Sequence, residues 1–232
     1  MDAMTAERPL DDPVWSALTT RHAHLARGDA LARRYPADIA PFAAMAAVTP
    51  LHAAALRALV DVDEVVAVVG TPVPDDAEGW ATQDNLRLVQ MIRRDPRPLP
   101  RGDAAIVRLD ANDVDAMLAL VEITHPGPFR QRTIELGTFV GVRHAGRLVA
   151  MAGERMHTGD FREVSGVCTH PDAQGKGLAR ALMADVINRM LRAGEVPFLH
   201  ADADNVRAIA LYESMGFAQR AQFVRVLHRR TA

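Results

Sequence analysis

The stretch VCTHPDAQGKGLARALM, Val167 to Met183, reads as a strand, a tight glycine turn and the start of a helix. Pro171 stops the strand, because the residue before a proline is held extended and proline has no donor for a ladder. Gly175 and Gly177 let the chain turn and let a ligand approach the backbone closely. Leu178, Leu182, Val186 and Met190 then recur four apart, and Gly194 stands where a C-cap belongs. A turn of this kind leaves amides unpaired at the positive end of a helix, so a phosphate or pyrophosphate can sit there without a metal. Lys176 and Arg180 add positive charge. Two nucleotide loops are excluded. A Walker loop would need glycine at His170 and Ser or Thr at Gly177, and a dinucleotide fingerprint would need a third glycine at Arg180.

Working outward, the elements alternate. On the C-terminal side, Val196 to Ala201 reads as a strand, Asn205 caps a helix ended by Gly216, and Gln222 to Leu227 is a last strand. On the N-terminal side, Glu163 to Thr169 follows two strands, Thr138 to Arg143 and Arg147 to Met156, joined at His144-Ala145-Gly146. Before them come a helix from Asn112 to about Val121 and a strand from Ala105 to Leu109. The densest punctuation is DPRPLPRGD, Asp95 to Asp103, which reads as a linker. It divides an accessory or degenerate N-terminal lobe, residues 1–102, from an α/β domain, residues 103–232. In the lobe, Pro13 opens a helix to about Ala26, Pro50 opens another to about Val60, and Glu64 to Val69 is a buried strand. Thr71 to Trp80 reads as a loop, and the apolar run Leu86 to Ile92 fits neither helix nor strand clearly. No internal repeat is visible.

The chain has 232 residues, 49% hydrophobic and 24% charged, which excludes collagenous, disordered and disulfide-scaffold classes. A formal net charge of -2 gives no whole-chain attraction to nucleic acid or to an acidic membrane. The single cysteine, Cys168, cannot form an intramolecular disulfide, and the acidic start MDAMTAERPLDD is unlike a signal peptide. A cytoplasmic location and no transmembrane segment are the expectations. His144, His157 and His170 lie thirteen apart, which matches no single-helix or knuckle spacing, so no metal is expected.

Gln174, Gly177 and Ala179 form a Q-x-x-G-x-A pattern after a strand, and Asp202 to Phe217 reads DADNVRAIALYESMGF. Together they resemble the GNAT superfamily of acyl-CoA-dependent N-acyltransferases, whose cofactor motif is Q/R-x-x-G-x-G/A and whose downstream segment is DNxxAxxxYxxxGF. Asn205, Ala208, Tyr212, Gly216 and Phe217 fall in place. The resemblance covers residues 103–232 and implies a mixed, mostly antiparallel sheet flanked by helices, with acetyl-CoA as cosubstrate. It further implies that Val167, Cys168 and Thr169 hydrogen-bond the pantetheine arm like an added strand, with a bulge offering an amide to the thioester carbonyl. Gly175, Lys176, Gly177, Leu178, Ala179 and Arg180 would hold the pyrophosphate, and Asn205 would contact the pantetheine side. Tyr212 would give a proton to the departing thiolate.

The acceptor is expected to be a primary amine on a small molecule or peptide, attacked directly in a ternary complex. Since an alkyl ammonium has a pKa around 10, a base or a water chain must first take its proton. Glu163 matches the base of the histone-acetylating branch, and His200 lies where other branches carry theirs. Cys168 as an acylated nucleophile is a further option, although no motif supplies its base. The acceptor would be shaped by Val114 to Arg132 and by the N-terminal lobe, with Glu122, Glu135 and Glu154 able to attract a cation. Arg225, Arg229 and Arg230 read as a solvated face. A module that binds CoA or acyl-CoA without turnover is the alternative function.

Overall fold

Alternating apolar residues build one twisted sheet across the whole chain in a computed structural model, which describes residues 7–70, 72–74 and 77–232. The first six residues of the acidic start, and residues 71, 75 and 76 of the expected Thr71 to Trp80 loop, lie outside them. In chain order the strands are β1 (Arg27–Gly28), β2 (Ala32–Arg34), β3 (Phe42–Met45), β4 (Val65–Val69), β5 (Trp80–Ile92) and β6 (Ile106–Leu109). They continue as β7 (Phe139–His144), β8 (Arg147–Thr158), β9 (Phe161–Thr169), β10 (Val196–Asp202) and β11 (Ala218–Arg230). The helices are α1 (Pro13–Thr19), α2 (Pro50–Ala58), α3 (Val114–Thr124), α4 (Leu178–Arg192) and α5 (Val206–Ser214). Among the described residues the sheet has eleven strands in the order β1-β2-β3-β4-β11-β5-β10-β9-β8-β7-β6. Only β3/β4 and β9/β10 pair parallel, so the sheet is mostly antiparallel, as expected.

The order is nearly symmetric about β11 and β5, with four strands beyond β11 and five beyond β5. Moving outward, each central strand meets an antiparallel neighbour, then a parallel pair bridged by a helix (β3-α2-β4, β9-α4-β10), then antiparallel strands. The two halves thus share a topology that no sequence repeat announces. The run left unassigned, Leu86 to Ile92, is the inner part of β5, a strand in the middle of the sheet between β10 and β11. Its residues alternate between the two apolar layers: Val89 and Met91 join α4, while Leu88 and Ile92 join the layer around α1. An apolar run without polar alternation is what burial on both faces produces.

Helix α4 buries Leu182, Met183, Val186 and Ile187 completely against the sheet. Each such side chain contributes about 2 kcal/mol. The linker lacks regular structure but is pinned: Leu99 donates to Asn188 Oδ1 at 2.8 Å and accepts from Asn188 Nδ2 at 2.9 Å. The hairpin expected at His144 to Gly146 is a two-residue turn, with φ of 49° at Ala145 and 80° at Gly146. One cap differs from expectation. Asp110, not Asn112, opens the turn leading into α3, in a reciprocal capping box with Asp113.

Candidate active site

The site opens where two parallel strands part. β9 and β10 pair only at Phe161, Arg162 and Glu163 against Val196, Pro197 and Phe198. Beyond that point β9 follows β8, and between the pairs Met151/Cys168 and Gly153/Ser165 one residue of β8 faces two of β9, Gly166 and Val167. This is a bulge, with Gly166 at φ +62°. A Cβ at Gly166 would lie 3.2 Å from Phe139 Cε1, so both the backbone and the packing call for glycine. The bulge turns Val167 to Thr169 toward the gap beside β10. Two adjoining clefts fill that gap, of about 440 and 530 Å³. Val167, Cys168, Thr169, Gln174, Asn205, Ala208 and Tyr212 line both.

The smaller cleft lies over the glycine turn. Gln174 is extended, Gly175 and Gly177 take φ of +76° and +71°, and Gly177 starts α4 with no side-chain cap. A Cβ at either glycine would meet nothing within 4 Å, so the turn faces open space. The equivalent helix in the other half is closed: Thr49 caps α2 through its own hydroxyl, without any glycine in the turn. Of the expected phosphate-loop residues, Gly175, Gly177, Leu178, Ala179 and Arg180 line this cleft, while Lys176 is exposed beside it. Arg180 bonds Ser214 Oγ at 2.5 Å. Arg207, which no motif singled out, adds a second cation. Thr169 lines both clefts, and its buried Oγ1 has no hydrogen-bond partner among the described residues. Open glycines, an uncapped helix start and an orphaned hydroxyl are what the diphosphate and pantetheine arm of acetyl-CoA would need.

Tyr212 stands at the junction of the two clefts, half-buried on α5, and burial pushes its phenol above the usual range. The phenol therefore keeps its proton near neutrality. Asn205 caps α5, accepting from Ala208 N–H at 3.0 Å, and also lines both clefts.

Glu163 and His200 come together, but not as a free base. Glu163 is fully buried and is absent from the cleft walls. It accepts from Arg155 Nε at 2.8 Å, from Arg155 Nη2 at 2.7 Å and from Met156 N–H at 3.3 Å, and it meets His200 Nδ1 at 2.8 Å. Burial alone would raise its pKa, yet the Arg155 guanidinium and the bonds from Arg155 and His200 outweigh burial and hold the carboxyl below the ordinary range. His200 lines the larger cleft, and its Nε2 lies 3.1 Å from Gln90 Nε2. Arg220 can only donate, so Gln90 Oε1 faces it at 2.9 Å and the Gln90 amide nitrogen faces His200. Nδ1 is then the protonated nitrogen and Nε2 accepts. Both ring nitrogens are engaged.

Cys168 packs among Leu109, Met117, Phe139 and Met151, and burial pushes its thiol up to about 11. That is the environment of a core residue, not of a nucleophile.

The larger cleft draws on both halves of the chain. Phe42, Val69, Leu86 and Leu88 come from residues 1–102, and Ile123 to Pro128 from the end of α3 and the PGPF turn. Glu122, Glu135 and Glu154 do not line it; Glu135 pairs with Arg132, and Glu154 with Arg162. Arg225 departs from the solvated face expected of it. Strand alternation puts it on the side of Phe223, at the cleft wall, while Arg229, of the same parity but beyond the register shift at Leu227/His228, pairs with the exposed Asp63. Reading Arg225, Arg229 and Arg230 as one run hid this, because the cleft meets only part of the strand and reaches Arg225 alone of the three.

Known proteins share this fold. A model of the FR47-like protein family matches residues 139–226. A putative acetyltransferase of the GNAT family from Novosphingobium aromaticivorans, solved by crystallography, superposes with a TM-score of 0.88 at 39% identity, covering 97% of this chain and all of that one. The mycothiol acetyltransferase of Kocuria rhizophila is 53% identical over 57 residues, 24% of this chain and 18% of its own length. The ribosomal protein bS18-alanine N-acetyltransferase of Escherichia coli is 29% identical over 120 residues, 48% of this chain and 79% of its own. The chain thus spans less than a fifth of the length of the mycothiol enzyme it matches. With a fold, two motifs and a cleft of this kind, and a full-length match at this identity, the chain belongs to the GNAT family of acetyltransferases.

Proposed function

We propose that the protein transfers an acetyl group from acetyl-CoA to a primary amine by direct attack in a ternary complex. The observation that carries this reading is Tyr212, a protonated phenol at the junction between a cleft suited to CoA and a second cleft of about 530 Å³ suited to an acceptor. When bound, acetyl-CoA supplies a thioester whose carbon–sulfur bond breaks as the carbon–nitrogen bond to the amine forms. Amides at the start of α4, with Arg180 and Arg207, hold the diphosphate end. Thr169 and the bulged backbone of Val167 orient the arm. Tyr212 keeps a proton at its phenol oxygen for the departing sulfur.

Glu163, Gln90 and Arg155 fix the ring of His200 and the cleft wall as positioning residues. Because His200 already spends both nitrogens on them, the amine gives its proton to water in the open cleft. Residues 1–102 act as an accessory lobe that walls the acceptor side. Tyr212→Phe is the test. We expect kcat to fall by about 100-fold or more, with the affinity for acetyl-CoA unchanged. Undiminished turnover would remove Tyr212 from the mechanism, and binding without turnover by the unmodified protein, across an amine panel, would favour a CoA-sensing module.

A further inference from the structure

The larger cleft presents more hydrogen-bond donors than its own residues can use. Arg155 spends Nε and Nη2 on Glu163 and lies over the Phe42 ring at 4.9 Å, and no protein bond to its Nη1 occurs among the described residues. Among the described residues Arg225 bonds through Nη2 alone, to the exposed carboxylate of Asp84 at 2.7 Å, and its buried Nε has no partner there. Both arginines line the same cleft, and among the described residues the one carboxylate on its wall is Asp202. Asp202 ends β10, where its carbonyl accepts from Asn205 N–H at 3.0 Å.

A guanidinium cannot lose its proton, so its spare N–H groups need an acceptor from elsewhere. A polycation brought to this wall would meet two like charges and satisfy neither. A carboxylate would pair with the Nη1 groups that Arg225 and Arg155 leave free, in the charge-assisted bonds a guanidinium makes to that group. Phe42, Val69, Leu86 and Leu88 give the same wall an apolar stretch. We infer that the acceptor is an amine that carries its own carboxylate on an apolar body, such as a free hydrophobic amino acid, with Arg225 as the specificity-determining residue. This rests on the acetyltransferase reading of the same cleft.

The experiment uses the full chain with acetyl-CoA and follows thiol release with L-leucine, L-phenylalanine, their carboxamides and spermidine. Calorimetry of each acceptor into the protein saturated with CoA runs beside it. We expect both amino acids to bind and turn over, with kcat/KM at least tenfold above their carboxamides and above spermidine. In Arg225→Gln the preference for carboxylate over carboxamide should shrink at least tenfold, mainly through KM, while Arg225→Lys retains part of it. Equal use of carboxamide and acid, or better use of spermidine, would overturn the inference and leave the transferase reading standing. Failure of both amino acids to bind, in protein that still binds acetyl-CoA, would also overturn it. Loss of acetyl-CoA binding by the unmodified protein would instead overturn the transferase reading itself.

Discussion

At the scale of single residues, the same amino acid type serves opposite purposes according to what surrounds it. Arg155 is matched by a buried carboxylate, whereas Arg225 is matched only by an exposed one, and exposed pairs are worth about 1 kcal/mol or less. Cys168 shows how far environment decides chemistry. It lies on the cleft wall next to Thr169, yet its thiol is packed into the core and pushed up to about 11, so almost none is thiolate at neutral pH. Replacing it with alanine should therefore leave acetyl transfer within about fivefold of normal, because a thiol held protonated in the core is a poor nucleophile. A loss of several hundredfold, measured by thiol release under saturating acetyl-CoA, would restore the ping-pong scheme.

At the scale of elements, a cluster of imidazoles joins the segment after α1 to β8. His22 Nδ1 meets the Tyr35 hydroxyl at 2.8 Å, and its ring lies 6.4 Å from that of His24 and 6.5 Å from that of His157. Burial, aided by the charges of its neighbours, holds both His22 and His157 down to about 4, against about 6.5 in the unfolded chain. Between those limits the unfolded chain binds more protons, so this contribution to stability is complete above pH 6.5 and is lost as the pH falls toward 4. Melting temperature should drop over that window, and His22→Gln should flatten the drop; an unchanged slope in the variant would remove the cluster as its cause.

The elements also show what a sequence can and cannot announce. The strand, turn and helix from Val167 onward were legible because proline, paired glycines and a four-residue apolar stripe each restrict the local backbone. Tyr212 and Asn205 were legible through the resemblance of their segment. Strand β5 was not, because burial on both faces erases the alternation that marks a strand. Arg155 and Arg225 were hidden for a related reason: which side of a strand faces a cleft depends on strands far away in the chain.

At the scale of the whole molecule, two halves of like topology share one sheet, but only one half keeps an open helix start. Thr49 closes α2 with a side-chain cap, and Gly177 leaves α4 uncapped above a cleft. The open half carries the glycine-turn cleft, the closed half supplies Phe42 and Val69 to the larger cleft, and β5 adds Leu86 and Leu88. The central claim is that acetyl-CoA occupies the gap between β9 and β10 with its diphosphate on the glycine turn. Its most direct test is calorimetric titration of acetyl-CoA into the protein and into Gly177→Val, whose branched side chain cannot hold a φ of +71° without strain. We expect micromolar binding to the unmodified protein and at least tenfold weaker binding to the variant. No binding to the unmodified protein, or equal binding to both, would contradict the account.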